Sequence, residues 1–161
     1  MGPEWLACIR EAVRAAREEG MGAWLYDEDR WPSGAAGGLV PARGGDAFRE
    51  KVLTGEEADQ FPGSLDDGLA VFAGRVEGGA IANPRRIDPA SPPALGDGES
   101  YVIFRREVSG PSEWFNNDAY ADNLNPDAVA AFIDITYEAY AREVGEEFGA
   151  TVPGIFTDEP D

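Results

Sequence analysis

The chain has 161 residues, of which 13 are Lys or Arg, 31 are Asp or Glu and none is His, so its net charge is −18. This balance argues against a nucleic-acid partner, since affinity for a polyanion comes mainly from Lys and Arg, and it disfavours an anionic membrane surface. No apolar run approaches 18 residues, so no membrane span is expected. Without histidine, Ser-His-Asp and Cys-His catalysis are excluded, and carboxylates become the main candidates for chemistry.

The first elements are a helix and a short strand. Apolar residues recur every three or four positions in residues 3–19, which predicts an amphipathic helix. The lone Cys8 is interpreted as a small buried residue of this helix. The apolar run Met21–Tyr26 predicts a strand buried on both faces, with Trp24 in the core. A short helical piece is predicted around Ala47–Leu53.

The remaining elements are a hairpin, a strand, a helix and a final strand. Residues 68–87 predict a β-hairpin that turns at Gly78-Gly79. Tyr101–Val108 predicts a further strand. A long helix is predicted from Asn125, as its N-cap, to Gly149. The apolar run Val152–Phe156 then predicts a last strand.

Helices that alternate with short buried strands predict an α/β fold with parallel pairing. We expect a partial (β/α)8 barrel that carries a β-hairpin-rich insertion at residues 55–100. Because a complete barrel needs about 250 residues, residues 1–161 are expected to be the N-terminal part of such a domain. The remainder of the same barrel would then be its structural partner.

Acidic residues follow two of the predicted strands directly. Asp27 and Glu28 come after Tyr26, and Asp158 and Glu159 follow Phe156. Because parallel strands end at one edge of a sheet, these carboxylates are expected to face one cavity. Crowded carboxyl groups raise one another's pKa, and glycosidic cleavage uses one as proton donor and a second as nucleophile or base. The alternative interpretation is that they are solvated loop charges or helix caps.

Aromatic and amide side chains lie in the loops beyond these strands. Trp31 and Trp114 fall in polar loops, where an exposed ring suggests a stacking surface for a sugar. Asn116 and Asp122 follow Trp114 and could hydrogen-bond hydroxyl groups. The alternative is a loop folded over its own tryptophan.

Three long stretches resemble the barrel domain of bacterial glycoside hydrolases of the alpha-L-rhamnosidase-like group. They are WLYDEDRWPSGAAGGLV (24–40), WFNNDAYADNLNPDAVAAFIDITYEAY (114–140) and VGEEFGATVPGIFTDEPD (144–161). The resemblance implies a (β/α)8 barrel. We expect it to cleave glycosidic bonds in plant or microbial polysaccharide and to need no metal or cofactor.

The resemblance also implies roles for individual residues. Glu159 in TDEP resembles the acid/base glutamate by position. Asp158 stands where asparagine is commoner and is expected to contact the substrate. Asp27, Glu28 and Trp31 would line the sugar subsite, and Asn116 and Asp122 would do so from their loop. The nucleophile is expected on a later strand, although a pairing of Glu159 with Asp27 or Glu28 stays open.

Two hypotheses from other classes stay open. A non-catalytic carbohydrate-binding barrel would use Trp31 and Trp114 as stacking platforms. A divalent-cation enzyme would use the carboxylates at both strand ends as hard oxygen ligands for Mg²⁺ or Ca²⁺. No EF-hand, Walker or dinucleotide pattern is present in the sequence.

Overall fold

A computed structural model of the protein describes residues 2–65 and 68–160. The chain divides into two compact units, one formed by Met1–Glu50 with Ser109–Asp161 and the other by Lys51–Val108. The first unit holds the α-helices of the described residues and a parallel strand pair, and the second is an antiparallel sheet. The fold is therefore mixed α/β.

Four helices and six strands follow one another along the described residues. In chain order they are α1 (Pro3–Glu18), β1 (Leu25–Tyr26), α2 (Leu39–Gly44), β2 (Lys51–Ala58), β3 (Gly68–Glu77), β4 (Ala80–Ile87), β5 (Ser100–Val108), α3 (Pro126–Ile135), α4 (Tyr137–Val144) and β6 (Ile155–Phe156). Single 3-10 turns occur at Gly45–Ala47, Glu113–Phe115 and Gly145–Glu147.

Helix α1 forms where the apolar periodicity predicts it. Proline occupies its first turn, and Val13 is its one fully buried residue among those described. Leu6 and Ile9 pack against the same apolar cluster. The prediction that Cys8 is buried is wrong, because this position lies off the apolar stripe and its side chain is exposed.

Strands β1 and β6 pair in parallel, with Leu25 opposite Ile155 and Tyr26 opposite Phe156. Both strands lie within the predicted apolar runs but contain only two residues each. Leu25 is buried against the helices. Since neighbouring strand residues point to opposite faces, Trp24 turns away from them and is 67% exposed, so its prediction as a core residue is wrong.

The helix predicted from Asn125 to Gly149 is interrupted. Asn125 caps α3 as expected, its Oδ1 accepting a hydrogen bond from the Asp127 N–H at 3.0 Å. Thr136 separates α3 from α4, and its hydroxyl donates to the Phe132 carbonyl at 2.7 Å. A threonine hydroxyl that bonds back to the preceding turn is a recognised cause of helix bending.

The second unit is a four-stranded antiparallel sheet in the order β2-β5-β3-β4. The hairpin predicted at residues 68–87 is confirmed, with Gly78 and Gly79 both at positive φ in its turn. Its core contains Val71, Ile103 and their buried neighbours. The predicted helical piece at Ala47–Leu53 is wrong, because Lys51–Leu53 pair with β5 as the start of β2.

The second unit contains the strand predicted at Tyr101–Val108 and the insertion predicted at residues 55–100. Tyr101–Val108 is a strand, but it is not a third parallel strand, since it pairs with antiparallel neighbours on both sides. The insertion predicted at 55–100 falls within the second unit. Within the residues that the structure covers, no helix is long and apolar enough to cross a membrane.

Candidate functional site

The carboxyl ends of β1 and β6 lie side by side in the first unit. The Asp27 N–H donates to the Phe156 carbonyl at 3.3 Å, which extends the parallel ladder beyond the two strands. The Thr157 hydroxyl donates to Asp27 Oδ2 at 2.6 Å. The segments that follow the two strands therefore meet at one edge of the sheet.

Asp27 is the buried centre of this edge, with 2% of its surface exposed. Its Oδ1 accepts a hydrogen bond from Ser33 at 2.7 Å. Its Oδ2 accepts from Tyr137 at 2.7 Å and from Thr157. Three hydroxyl donors thus compensate the cost of burying one carboxylate. Through these hydrogen bonds, Asp27 connects the loop after β1, helix α4 and the segment after β6.

Glu28 is held by backbone amides of the glycine-rich loop that follows β1. It accepts hydrogen bonds from the N–H groups of Asp29, Gly34, Ala36 and Gly37. Burial raises the pKa of the Glu28 carboxyl above its ordinary value, and the four amide donors act in the opposite direction. Because both carboxylate oxygens already accept protein donors, Glu28 chiefly organises this loop.

Asp158 and Glu159 follow β6 and differ in their surroundings. Asp158 is anchored through its backbone, since its N–H donates to Ser33 Oγ at 3.0 Å and its carbonyl accepts from the Ser33 N–H at 2.8 Å. Its side chain accepts a long bond of 3.4 Å from the Tyr26 hydroxyl, and burial and this carboxylate raise the pKa of Tyr26. Glu159 is exposed, has a φ of 43° and forms no side-chain hydrogen bond with the residues described.

Trp31 and Trp114 form an exposed aromatic pair. Their ring centroids are 5.8 Å apart with an interplanar angle of 64°, and the rings are 55% and 43% exposed. The Trp114 indole N–H donates to the Trp31 carbonyl at 2.6 Å. The Arg30 guanidinium lies 5.6 Å from the centroid of the Trp114 ring. The two loops therefore meet through their tryptophans, and both rings keep surface open to a ligand.

Asn116 and Asp122 lie in the same loop but take different positions. Asn116 Nδ2 donates to Asp29 Oδ2 at 3.1 Å and to the Gly37 carbonyl at 2.9 Å, which joins it to the loop after β1. Asp122 Oδ1 accepts from the Leu124 N–H at 3.2 Å, in the turn that leads into α3. Asn116 belongs to the site edge, whereas Asp122 stabilises the turn before a helix.

A cavity of about 640 Å³ lies beside the end of β1. Three residues predicted for the site line it, namely Asp27, Glu28 and Asn116. The other five predicted residues are not part of its lining, namely Trp31, Trp114, Asp122, Asp158 and Glu159.

The cavity is also lined by Trp5, Asp29 and Leu39, which the sequence did not identify as site residues. The sequence signal for Trp5 was that this large ring lies in the first turn of α1, at the very start of the apolar stripe. Asp29 was part of the acidic run after β1, but nothing in the sequence distinguished it from Asp27 and Glu28. Leu39 gave no signal.

Metal binding finds little support at this edge. Among residues 2–65 and 68–160, no three Asp, Glu, Cys or His side chains are grouped so that they could hold a metal ion. The oxygens of Asp27 and Glu28 accept hydrogen bonds from protein donors instead.

Comparison with protein-family models, with curated protein sequences and with solved structures finds no match to this chain. The assignment of function therefore depends on the residues and geometry of the site.

Proposed function

We propose that this chain is part of the catalytic domain of a glycoside hydrolase in which Glu159 protonates the leaving oxygen. The observation that carries the proposal is the parallel pairing of β1 with β6, which brings two acidic strand ends to one edge. Active sites of parallel α/β folds are built at this edge. The resemblance to alpha-L-rhamnosidase-like enzymes supports the same function.

The hydrogen bonds of Asp27 and Glu28 favour Glu159 over these two carboxylates as the proton donor. Asp27 has both oxygens bonded to hydroxyl groups, and Glu28 has both bonded to backbone amides. A proton donor needs a carboxyl group that can reach substrate. Glu159 has such a group, since it is exposed and has no hydrogen-bond partner among the described residues.

Glycoside hydrolysis also requires a second carboxylate, as nucleophile or base. The hydrogen bonds of Asp27 and Glu28 help to decide whether either can take this role. Asp27 and Glu28 are poor candidates, because either would have to give up the protein donors that hold it. We therefore favour a nucleophile or base on a later barrel strand, as the resemblance implies. In this proposal β1, the helices α3 and α4, and β6 form one strand–helix–strand step of a partial (β/α)8 barrel, which the remainder of the barrel completes.

A non-catalytic carbohydrate-binding function is the second candidate. It is favoured by the exposure of Trp31 and Trp114, whose paired rings offer apolar surface to the flat face of a sugar. This candidate requires that the protein binds glycans without cleaving them.

The test measures release of reducing sugar from a panel of plant and microbial polysaccharides by the protein that carries this chain. Glu159→Gln should lower the rate by at least about 10²-fold, the usual minimum for general-acid assistance. Glu146→Gln is the matched control, since Glu146 is another exposed glutamate of the first unit. Equal rates for the two variants would remove Glu159 from the mechanism.

Comparison of Trp31→Ala with Glu159→Gln distinguishes the carbohydrate-binding function from the catalytic one. If glycans bind but are not cleaved, and Trp31→Ala abolishes binding while Glu159→Gln leaves it unchanged, the binding function replaces the catalytic one. Trp31→Ala keeps the main-chain carbonyl that accepts the Trp114 indole, so the contact between the loops is retained.

A further inference from the structure

The polar groups of the cavity beside β1 are mostly occupied by the protein itself. Asp27 accepts three hydroxyl donors, Glu28 accepts four amides, and the Tyr140 hydroxyl donates to the Tyr26 carbonyl at 2.8 Å. Among the lining side chains, Asp29 and Asn116 each keep a side-chain oxygen that accepts no hydrogen bond from the residues described, while Trp5 is hydrogen-bonded to Tyr140. Asp29 and Asn116 are therefore the strongest candidates for hydrogen bonds to a ligand in this cavity.

The orientation of Asn116 follows from its partners. The carboxylate of Asp29 and the carbonyl of Gly37 both accept hydrogen bonds, so the side-chain nitrogen of Asn116 must face them. Its Oδ1 is left as an acceptor. Asp29 uses Oδ2 for this bond, and its Oδ1 forms no hydrogen bond within the described residues. Both free groups are acceptors, so they select a ligand that donates O–H or N–H bonds.

The remaining lining is largely apolar and aromatic. Trp5 projects from the first turn of α1 with 52% of its surface exposed, and Tyr26 and Leu39 line the cavity as well. A cavity of about 640 Å³ lies within the ordinary range for small-molecule sites. A pyranose ring has hydroxyl groups that donate hydrogen bonds and an apolar face that packs on aromatic rings. It therefore fits both the acceptor oxygens and the apolar lining of this cavity.

The charge of the lining limits the kind of sugar. The charged lining residues are all acidic, namely Asp27, Glu28 and Asp29. Arg30 pairs with Asp29 at 3.8 Å, but it does not line the cavity, and its guanidinium donates to the Glu113 carbonyl and lies beside the Trp114 ring. A carboxylate or phosphate on the ligand would therefore face like charge in a partly desolvated site.

We propose that this cavity binds one neutral pyranose ring, with Trp5 against its apolar face and with Asp29 and Asn116 accepting its hydroxyl hydrogens, and that it rejects uronic acids. The inference rests on the proposed function for the choice of a sugar as ligand, and deepens it by naming the class of sugar. It does not depend on the role of Glu159.

The test measures binding by NMR to the whole chain, using its four tryptophan indole N–H signals as probes. The ligands are the methyl glycosides of D-glucose, D-galactose and D-mannose, and the matching methyl glucuronide and galacturonide. We expect the Trp5 signal to shift with at least one neutral glycoside. Its uronide counterpart should bind at least about tenfold more weakly.

Three variants test the assigned contacts. Trp5→Ala should weaken binding about tenfold or more, whereas Trp24→Ala, which removes an exposed ring outside the cavity, should leave it unchanged. Asp29→Asn keeps the shape of the side chain and its acceptor for Asn116 but removes the charge. This variant should reduce the preference for the neutral glycoside over its uronide.

The outcomes separate this inference from the proposed function. It is overturned if no neutral glycoside binds the folded chain, if uronides bind equally well, or if Trp31→Ala abolishes binding while Trp5→Ala does not. Each of these results leaves the effect of Glu159→Gln on hydrolysis to be judged separately. Conversely, Trp5→Ala could abolish binding while Glu159→Gln leaves hydrolysis unaffected. This result would support sugar binding in the cavity and remove Glu159 from the reaction.

Discussion

Removal of the Asp27 carboxylate should destabilise the first unit severely. Asp27→Ala leaves the hydroxyl groups of Ser33, Tyr137 and Thr157 without their acceptor. A hydrogen bond to a charged group contributes about 1.5–3 kcal/mol. The hydroxyls of Tyr137 and Thr157 are 2.8 Å apart, so they can recover one bond with each other. We therefore expect a loss of about 3–5 kcal/mol in the free energy of unfolding.

The assay is urea unfolding followed by tryptophan fluorescence. All four tryptophans belong to the first unit, so the signal reports on the unit that contains Asp27. Asp27→Asn should cost less, about 1.5–3 kcal/mol, because the amide keeps one acceptor oxygen. Asp134→Asn is the matched control, since this exposed residue forms a surface ion pair with Arg43 worth under about 1 kcal/mol. A loss below about 1 kcal/mol for Asp27→Ala would refute the structural role of this carboxylate.

Two further predictions concern the glycine-rich loop and the second unit. Gly38→Ala should cost about 3 kcal/mol or more, because φ is +89° and the new Cβ would clash with the Phe115 carbonyl oxygen. At Gly45, where φ is +57° and nothing lies within 4 Å, the same change should cost only about 1 kcal/mol in the same unfolding assay. The paired hydrogen bonds from Arg85 lower the pKa of Glu99 to about 2, so an NMR titration should place its midpoint there, and Arg85→Ala should raise it towards 4.5. Because this pKa is depressed in the folded state, the pair's contribution to stability should be present above about pH 4.5 and be lost as the pH falls towards 2.

The elements that the sequence predicted well depend on local patterns. The apolar stripe of α1, the paired glycines of the hairpin and the Asn125 cap each act within a few residues, and each appears in the structure. The parallel pairing of β1 with β6 was predicted from two short apolar runs that lack alternation. The stripe, the glycine turn and the cap are strong signals because neighbouring residues alone fix the backbone that they favour, whereas the strand pairing also needed the expectation that strands of this type lie parallel in one sheet.

The features that the sequence did not reveal depend on distant partners. Strand β2 forms because it pairs with β5, about fifty residues further along the chain, and its own pattern gave no strand signal. Likewise, nothing near Asp27 in the sequence showed that Tyr137 and Thr157 would bond to its carboxylate. The acidic run after β1 lies at the sheet edge as expected, but Asp158 and Glu159 after β6 do not line the cavity that Asp27 and Glu28 line. The different roles of its members follow from a loop that returns to them, which only the structure reveals.

The most direct test of the catalytic claim compares the leaving-group dependence of Glu159→Gln with that of the unchanged protein. The kcat/KM values are measured for a dinitrophenyl glycoside, whose leaving group needs no proton, and for an alkyl glycoside of the same sugar. If Glu159 is the proton donor, the variant should lose about 10²-fold or more on the alkyl glycoside and only a few-fold on the dinitrophenyl one. Equal losses on both substrates, or no loss on either, would contradict the assignment.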